Sequence, residues 1–405
     1  MTGSIDRVVV VGGGIAGVST VGALRSGGFD GELTLVDAGE FPYDRPPLSK
    51  EYLCGERTFE QIALRSPRWY QDEEVRLINL SMVTALRPAE GKVELGDGRL
   101  LAADRVVLAT GGQAARPPIA GVDSRRVHVL RTADDADRLR RVLVSGSTVL
   151  IVGAGLIGAE VASAAVELGC KVVLVEPTSP PLAAALGVEV AAWLHALHAD
   201  RGITTVAGPV VSCTEVSSGI EVRIGGHAQA RVVDAVVLGV GMVPETSLAL
   251  GAGIEVDRGF LVDSGQVTSN PAVLAVGDPA RCRGRDVPRA EHWEAAQLDG
   301  QRAAATVLGA APPVPMAPWF WTDRHHRHVE VVGRMSDAER TVTRGAFGGR
   351  AFSVFGLRGD SIVAAVAIDD SIAVRAARRM IDRSMIVDSA SLADPAVDLR
   401  KLLRG

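Results

Sequence analysis

Two short glycine runs carry the clearest chemistry in this sequence. The first, Gly12-Gly13-Gly14-Ile15-Ala16-Gly17, follows the apolar run Val8 to Val11, and an acid, Asp37, closes the next apolar run. The second, Gly153-Ala154-Gly155-Leu156-Ile157-Gly158, follows Val149 to Val152, and Glu176 closes its next apolar run. In such a segment the first glycine turns sharply out of a strand. The second lets backbone approach a pyrophosphate, and the third lets the following helix lie close to the sheet. The N–H groups of that helix start, which have no partner within the helix, then face the phosphates. The acid at the second strand end reaches ribose hydroxyls. Gly12, Gly14 and Gly17 are therefore candidate phosphate-loop residues, as are Gly153, Gly155 and Gly158, with Asp37 (or Glu40) and Glu176 as the ribose acids. A carboxylate at Glu176 also repels a 2′-phosphate, and no arginine lies between Pro177 and Gly187 to offset it. The second site is thus expected to take NADH.

Two dinucleotide folds in one chain call for two dinucleotides, and a resident flavin, FAD, paired with a visiting nicotinamide, NADH, is the simplest combination. Asp278, in AVGD at 275–278, closes a buried run beside a glycine turn, where an acid can hold a polar cofactor chain. Hydride transfer from nicotinamide to flavin then needs positioning more than a general base, because the cofactor itself does the difficult chemistry.

The elements that must position these residues follow from hydrophobic periodicity. Short Val/Ile/Leu runs at 8–11 and 149–152 read as parallel strands buried on both faces, DRVVLATGG at 104–112 reads as another buried strand, and 203–240 supplies several short strands closing with VVDAVVLGVG. Alanine-rich helices follow each glycine loop, which makes two βαβ units. A proline-containing loop region spans 41–70, a helix is expected over 293–308, and the proline-rich stretch Ala311 to Pro318 reads as a linker. Beyond it, HVEVVG, RAFSVFG and SIVAAVAI read as antiparallel strands, with a helix near 371–382. The expected fold is α/β, with two Rossmann-like dinucleotide-binding domains in a glutathione-reductase-like arrangement and a small C-terminal α+β domain. The boundaries fall at 1–110 and 241–311 for the FAD domain, 111–240 for the NAD domain and 312–405 for the C-terminal domain.

Composition narrows the class. With 47% apolar residues and 405 residues in all, the chain is long enough for two or three packed cores. A net charge of -5 speaks against general nucleic-acid binding. No apolar run reaches the ~18–20 residues of a membrane span, and Val8 to Val11 lacks the flanks of a signal peptide, so a cytoplasmic location is expected. Cys54, Cys170, Cys213 and Cys282 share no metal-ligand spacing and read as reduced thiols, with Cys54 in a short helix.

These motifs occur in the order GGGIAG, PYDRPPLSK, ATGG, GAGLIGAE, GVGMVP, AVGD and PWFWTD. In that order they resemble the putidaredoxin reductase-like, FAD-dependent NADH:ferredoxin reductases of bacterial oxygenase systems, over essentially the whole chain. The resemblance implies that Ala16, Lys50, Val83, Arg131, Asp278 and Trp293 contact FAD. It adds Arg45 in PYDRPP and Gly241 in GVGMVP to the cofactor-binding residues. It places Lys50 and Glu160 by the flavin ring and nicotinamide, and Trp321 at the flavin edge, as the catalytic group of residues. It also implies an iron–sulfur ferredoxin as partner and a monomer or homodimer. Where the family carries an arginine after the second ribose acid, this chain has Ala184.

Two rival readings use the same fold. A redox-cysteine enzyme, such as an NADH oxidase or disulfide reductase, needs a cysteine soon after the first ribose acid, where this chain reads FPYDRPPLSK. A binding or signalling flavoprotein of the apoptosis-inducing-factor type has no appended basic or targeting region here to support it. Two cationic stretches remain. Arg281, Arg283, Arg285 and Arg289 follow the AVGD turn and are expected to dock an acidic ferredoxin. Arg324-His325-His326-Arg327-His328 fits no zinc spacing and reads as a surface cationic edge, with Arg324 and Arg327 extending the docking patch.

Overall fold

The computed structural model describes residues 4–178, 180–284, 289 and 291–403. The chain divides into two compact units, Met1–Pro46 with Arg57–Gln113 and Met242–Val314, and Pro47–Glu56 with Ala114–Gly241 and Pro315–Gly405.

In the first unit five parallel strands form one sheet, in the order Val273–Ala275, Arg105–Leu108, Arg7–Val11, Glu32–Val36, Val75–Ile78. Val8 to Val11 are buried without alternation, because helices and loops cover both faces of the sheet. The helix Ile15–Ser26 crosses from strand Arg7–Val11 to its neighbour Glu32–Val36. Helix Trp293–Leu308 packs against it at close range: a Cβ on Gly300 would lie 2.6 Å from the Ala16 carbonyl. A three-stranded antiparallel sheet, Val83–Arg87, Lys92–Leu95 and Leu100–Ala102, and a parallel pair, Phe260–Val262 with Ala280–Cys282, also lie in this unit.

The second unit repeats the parallel sheet, in the order Thr204–Ala207, Lys171–Glu176, Thr148–Val152, Ala235–Leu238, Val127–Val129. Helix Leu156–Glu167 is its crossover, with every residue from Gly158 to Ala165 buried. The C-terminal part of the unit is a five-stranded antiparallel sheet, in the order Trp319–Arg324, Arg327–Gly333, Ser361–Ile368, Phe352–Arg358, Arg340–Arg344. Helix Ser371–Asp382 lays Ala373, Val374, Ala377 and Met380 on one face of that sheet. On the other face Leu186, Val190 and Leu194 pack against Val329, Val331 and Phe352. Trp319–Arg324 is therefore an edge strand. It lies along helix Leu156–Glu167, which covers the edge that would otherwise expose unpaired backbone groups.

One local expectation fails. Residues 51–55, around Cys54, form turns and not a helix; the proline pair at Pro46–Pro47 and Gly55 at φ 78° leave too little room for helical propagation. Among the described residues no helix is long and apolar enough to cross a membrane.

Candidate functional site

The two glycine loops have nearly the same construction. Gly12 (φ 111°) and Gly153 (φ 97°) take conformations that side chains disfavour, and a Cβ on either would strike a carbonyl, of Ala109 at 2.3 Å or Gly239 at 2.5 Å. Gly17 and Gly158 face those first glycines so closely that a Cβ would fall within 2.0 and 1.9 Å of their carbonyl oxygens. Nothing lies within 4 Å of where a Cβ on Gly14 or Gly155 would point. Each of these two residues caps its helix without a side-chain acceptor. Bare helix N-termini opening on a glycine-lined hollow are what a pyrophosphate requires, so the residues present fit a dinucleotide at both places.

The ribose acids complete the likeness. Asp37 lies over Gly13, where a Cβ would come 2.5 Å from its Oδ2. Glu176 lies over Ala154, whose N–H donates to its Oε2 at 2.8 Å, while Thr178 N donates to Oε1 at 2.9 Å. Each acid thus stands over the middle residue of its own loop.

Within the first unit, Gly277 packs on Ala16, so the AVGD turn that carries Asp278 meets the first turn of the glycine-loop helix. Trp293 begins the helix after that turn, and its indole N–H donates to Asp44 Oδ1 at 2.7 Å, which ties the PYDRPP loop to it. Arg45 lies half-buried in the same loop. Val83 lies in the core formed with Val11, Val36 and Ile78. In the second unit Arg131 directly precedes the capping box of helix Ala133–Arg140 and donates its N–H to Asp135. Gly241, at φ 99°, accepts Ala115 N–H at its carbonyl.

Lys50 and Glu160 do meet. Lys50 Nζ stands 3.0 Å from Glu160 Oε2, and Glu160 is only 3% exposed. Its carboxylate also accepts from Ser49 Oγ, from Thr322 Oγ1 at 2.7 Å and from Asp323 N at 3.3 Å. Four donors satisfy a buried carboxylate that would otherwise be very costly to bury. Ser49 and Thr322 lie inside the two motifs singled out from sequence, yet their chemistry gives no sign that they would converge on a helix residue. Trp321, two positions from Asp323 on the same strand, stacks on Trp319 with ring centroids 5.0 Å apart and 26° between planes.

The Arg324 to His328 run corrects the sequence reading. Arg324 and His325 are buried, at 3% and 4% exposure, and do not form a surface edge. His325 and His326, at φ 54° and 58°, are the central residues of a two-residue hairpin turn between Arg324 and Arg327. That turn type favours glycine or asparagine. Here tertiary bonds hold it: His325 N donates to Ser163 Oγ at 2.8 Å, and His325 Nε2 meets His198 Nδ1 at 2.8 Å. Burial holds His198 down to about 2 and His325 to about 4, with Arg324 opposing protonation of both. Burial also lowers Arg324, to about 10, against the attraction of Glu160. His328 is the outlying member. Its Nδ1 bonds Asp323 Oδ1 at 2.6 Å, and that bond raises its pKa. No group of three metal-ligating side chains occurs among the described residues.

The AVGD-side arginines are paired. Arg281 meets Asp257, Arg283 meets Glu255 at 3.0 Å, and Arg289 meets Glu291 at 2.7 Å; only Arg283, 49% exposed, stands well out in solvent. Arg285 lies outside the described residues. Cys54 is pushed up to about 11 by burial and then by Glu167, the wrong direction for a redox thiolate.

Residues 6–300 match the model of the family described as pyridine nucleotide-disulphide oxidoreductase, and residues 319–403 match the reductase C-terminal family. The chain is 33% identical to putidaredoxin reductase of Pseudomonas putida, over 98% of this chain and 97% of that one. It is 36% identical to the ferredoxin–NAD(+) reductase component of the anthranilate 1,2-dioxygenase system of Burkholderia cepacia, over 99% of this chain and all of the other. The crystal structure of the covalent putidaredoxin reductase–putidaredoxin complex superimposes with a TM-score of 0.92 at 31% identity, covering 99% of each chain.

Proposed function

The chain belongs to the pyridine nucleotide-disulphide oxidoreductases that carry a reductase C-terminal domain, and from that premise we propose that it is an NADH-dependent ferredoxin reductase serving an oxygenase. The observation that carries this reading is the duplicated glycine loop, each copy with an acid over its middle residue, in a chain aligned end to end with a ferredoxin–NAD(+) reductase component. FAD, when bound, accepts a hydride from NADH and passes its two electrons on singly.

The chain's own residues hold and orient. The N-termini of helices Ile15–Ser26 and Leu156–Glu167 bind the two pyrophosphates, and Asp37 and Glu176 the two adenosine riboses. Ala16, Arg45, Val83, Arg131, Asp278 and Trp293 are assigned to FAD on the resemblance. Lys50 is assigned to the flavin ring, its ammonium held by Glu160, which Ser49, Thr322 and Asp323 N keep from turning. A fixed cation there favours negative charge on the reduced ring. Trp321, stacked on Trp319, is assigned to the flavin edge on the resemblance.

The test is NADH-driven turnover against a panel of purified two-iron, three-iron and four-iron ferredoxins and rubredoxin, with identification of the flavin released on denaturation. FAD and rapid reduction of at least one iron–sulfur acceptor are expected. FMN, or no acceptor reduced faster than oxygen, overturns the reading.

A further inference from the structure

A cleft of about 360 Å³ opens beside the Lys50–Glu160 pair, wholly within the second unit. Ser49, Lys50 and Glu160 line it together with Asp323, His328 and Asp369. Such a volume far exceeds the ~10–15 Å³ that one water centre needs, and the lining is polar enough to order several waters. Lys50 is 15% exposed while Glu160 is 3% exposed, so the cleft brings solvent to an ion pair that the fold otherwise encloses.

On the ferredoxin reductase reading the overall reaction generates a proton. When NADH reduces two one-electron acceptors, the C4–H bond of the dihydronicotinamide breaks and its electron pair is divided between the acceptors. The products are NAD⁺, two reduced acceptors and one proton, and that proton must reach water. We propose that the cleft is the proton's exit, with His328, hydrogen-bonded to Asp323, as the group that exchanges it with bulk solvent. The inference rests on the ferredoxin reductase reading and adds a positioning and proton-carrying role that it leaves unassigned.

The geometry supports a carrier at His328 and nowhere else along the hairpin. His325 is buried and its ring is committed to His198. His326 is 71% exposed at the rim, 3.9 Å from Glu167. His328 is intermediate in exposure, at 39%, and its Nδ1 bonds the side chain of Asp323, whose own backbone N–H bonds Glu160. The charged groups around it come from every adjoining segment: Asp323 across the hairpin at 2.6 Å, Glu330 on its own strand 3.7 Å from Nε2, and Asp369, which accepts its backbone N–H. Arg327 beside it is paired to Asp369 at 3.0 Å. Three carboxylates against one paired guanidinium favour an imidazole that is readily protonated, and the bond to Asp323 raises its pKa above the ordinary histidine value.

The experiment is single-turnover oxidation of the NADH-reduced holoenzyme in weakly buffered solution with a pH-indicator dye, using ferricyanide and, separately, a ferredoxin. In the parent and in the rim control His326→Gln, proton release keeps pace with electron delivery. In His328→Gln the proton lags, and multiple turnover falls by at least about tenfold at neutral pH, short of the ~10²–10⁴ contributed by direct transfer in a transition state. Added imidazole restores it, while anaerobic flavin reduction by NADH is unchanged. Asp323→Asn, which keeps the backbone bond to Glu160, gives an intermediate lag. In the ligand-free chain, NMR titration of the His328 ring shows a pKa that drops in Asp323→Asn. Release that stays in step with electrons in both variants, or a His328 pKa indifferent to Asp323, overturns the proposal. Ferricyanide keeps this test independent of the partner: a parent that reduces ferricyanide but no ferredoxin overturns the acceptor assignment and leaves the proton measurement intact.

Discussion

Glu176 Oε2 accepts the backbone N–H of Ala154 at 2.8 Å, so the acid that ends a strand is fastened to the middle of the phosphate-binding loop. The bond orients the carboxylate toward the place where an adenosine ribose must lie once its pyrophosphate occupies the helix start. A 2′-phosphate would meet that charge, and no arginine lies between Pro177 and Gly187 to offset it.

NADH is therefore expected to exceed NADPH in kcat/KM by at least about tenfold, or ~1.4 kcal/mol. Glu176→Ala should narrow the gap, mainly by raising KM for NADH and lowering it for NADPH. Equal use of the two nucleotides by the unaltered protein contradicts the assignment.

The Lys50–Glu160 pair makes a prediction about stability as well as rate. Lys50→Met leaves a 3%-exposed carboxylate with only Ser49, Thr322 and Asp323 N as donors. Breaking a buried pair costs about 3–5 kcal/mol, and partial exposure of Lys50 puts this one toward the lower end. The double variant Lys50→Met/Glu160→Gln should recover part of that loss, which a double-mutant cycle in urea measures directly. Both should slow flavin reduction by NADH. A Lys50→Met variant as stable as the parent would show that the three neutral donors suffice alone.

The arginine loop after AVGD is now more sharply testable than its sequence suggested. Arg281 and Arg289 are mostly buried and paired to Asp257 and Glu291, so Gln in their place should disturb the local fold more than the encounter. Arg283 is half exposed, and its Glu255 partner is itself 60% exposed. Exposed charges are screened within ~8–10 Å near physiological salt. Rising salt should then slow ferredoxin reduction and hardly change flavin reduction. Arg283→Gln should raise KM for ferredoxin and leave ferricyanide reduction alone. An unchanged KM at low salt removes this loop from the docking surface.

How much of this was legible depended on whether backbone or side-chain contacts set the constraint. Gly12, Gly17, Gly153 and Gly158 were readable because only glycine fits those backbone positions, and the two acids because they end strands at a fixed place in the unit. The pairing of Lys50 with Glu160 came from resemblance, and the structure brings those two residues together. Ser49 and Thr322 were not readable as partners, since their convergence on Glu160 needs three distant segments to fold first. The RHHRH run misled because charge and histidine content suggest a surface. A two-residue turn buried against Ser163 and His198 reverses that, and no local sequence feature announces it.

That buried turn makes acid stability a test of the same packing. His198 and His325 are neutral in the folded protein, with pKa values held to about 2 and about 4, whereas an unfolded histidine titrates near 6.5. As pH falls below ~6.5 the unfolded chain takes up protons that the folded chain does not, so stability declines, by at most about 1.4 kcal/mol per pH unit for each histidine. The loss continues to the folded values, pH ~4 for His325 and ~2 for His198. His328 acts with the opposite sign: its raised pKa adds stability below ~6.5 that is lost as pH rises through the folded value, but its partial exposure keeps this small. Asp299, raised to about 6 by burial, also opposes the loss, since the folded form holds its proton first. Both are unchanged in a variant that removes only the pair, so they cancel in the comparison. His198→Leu/His325→Asn serves for this purpose, because asparagine tolerates the positive φ of position 325. Urea midpoints measured between pH 7.5 and 5 should fall with acid in the parent and fall distinctly less in the double variant. Parallel pH profiles would mean that His198 and His325 are protonated in the folded state, contrary to their burial.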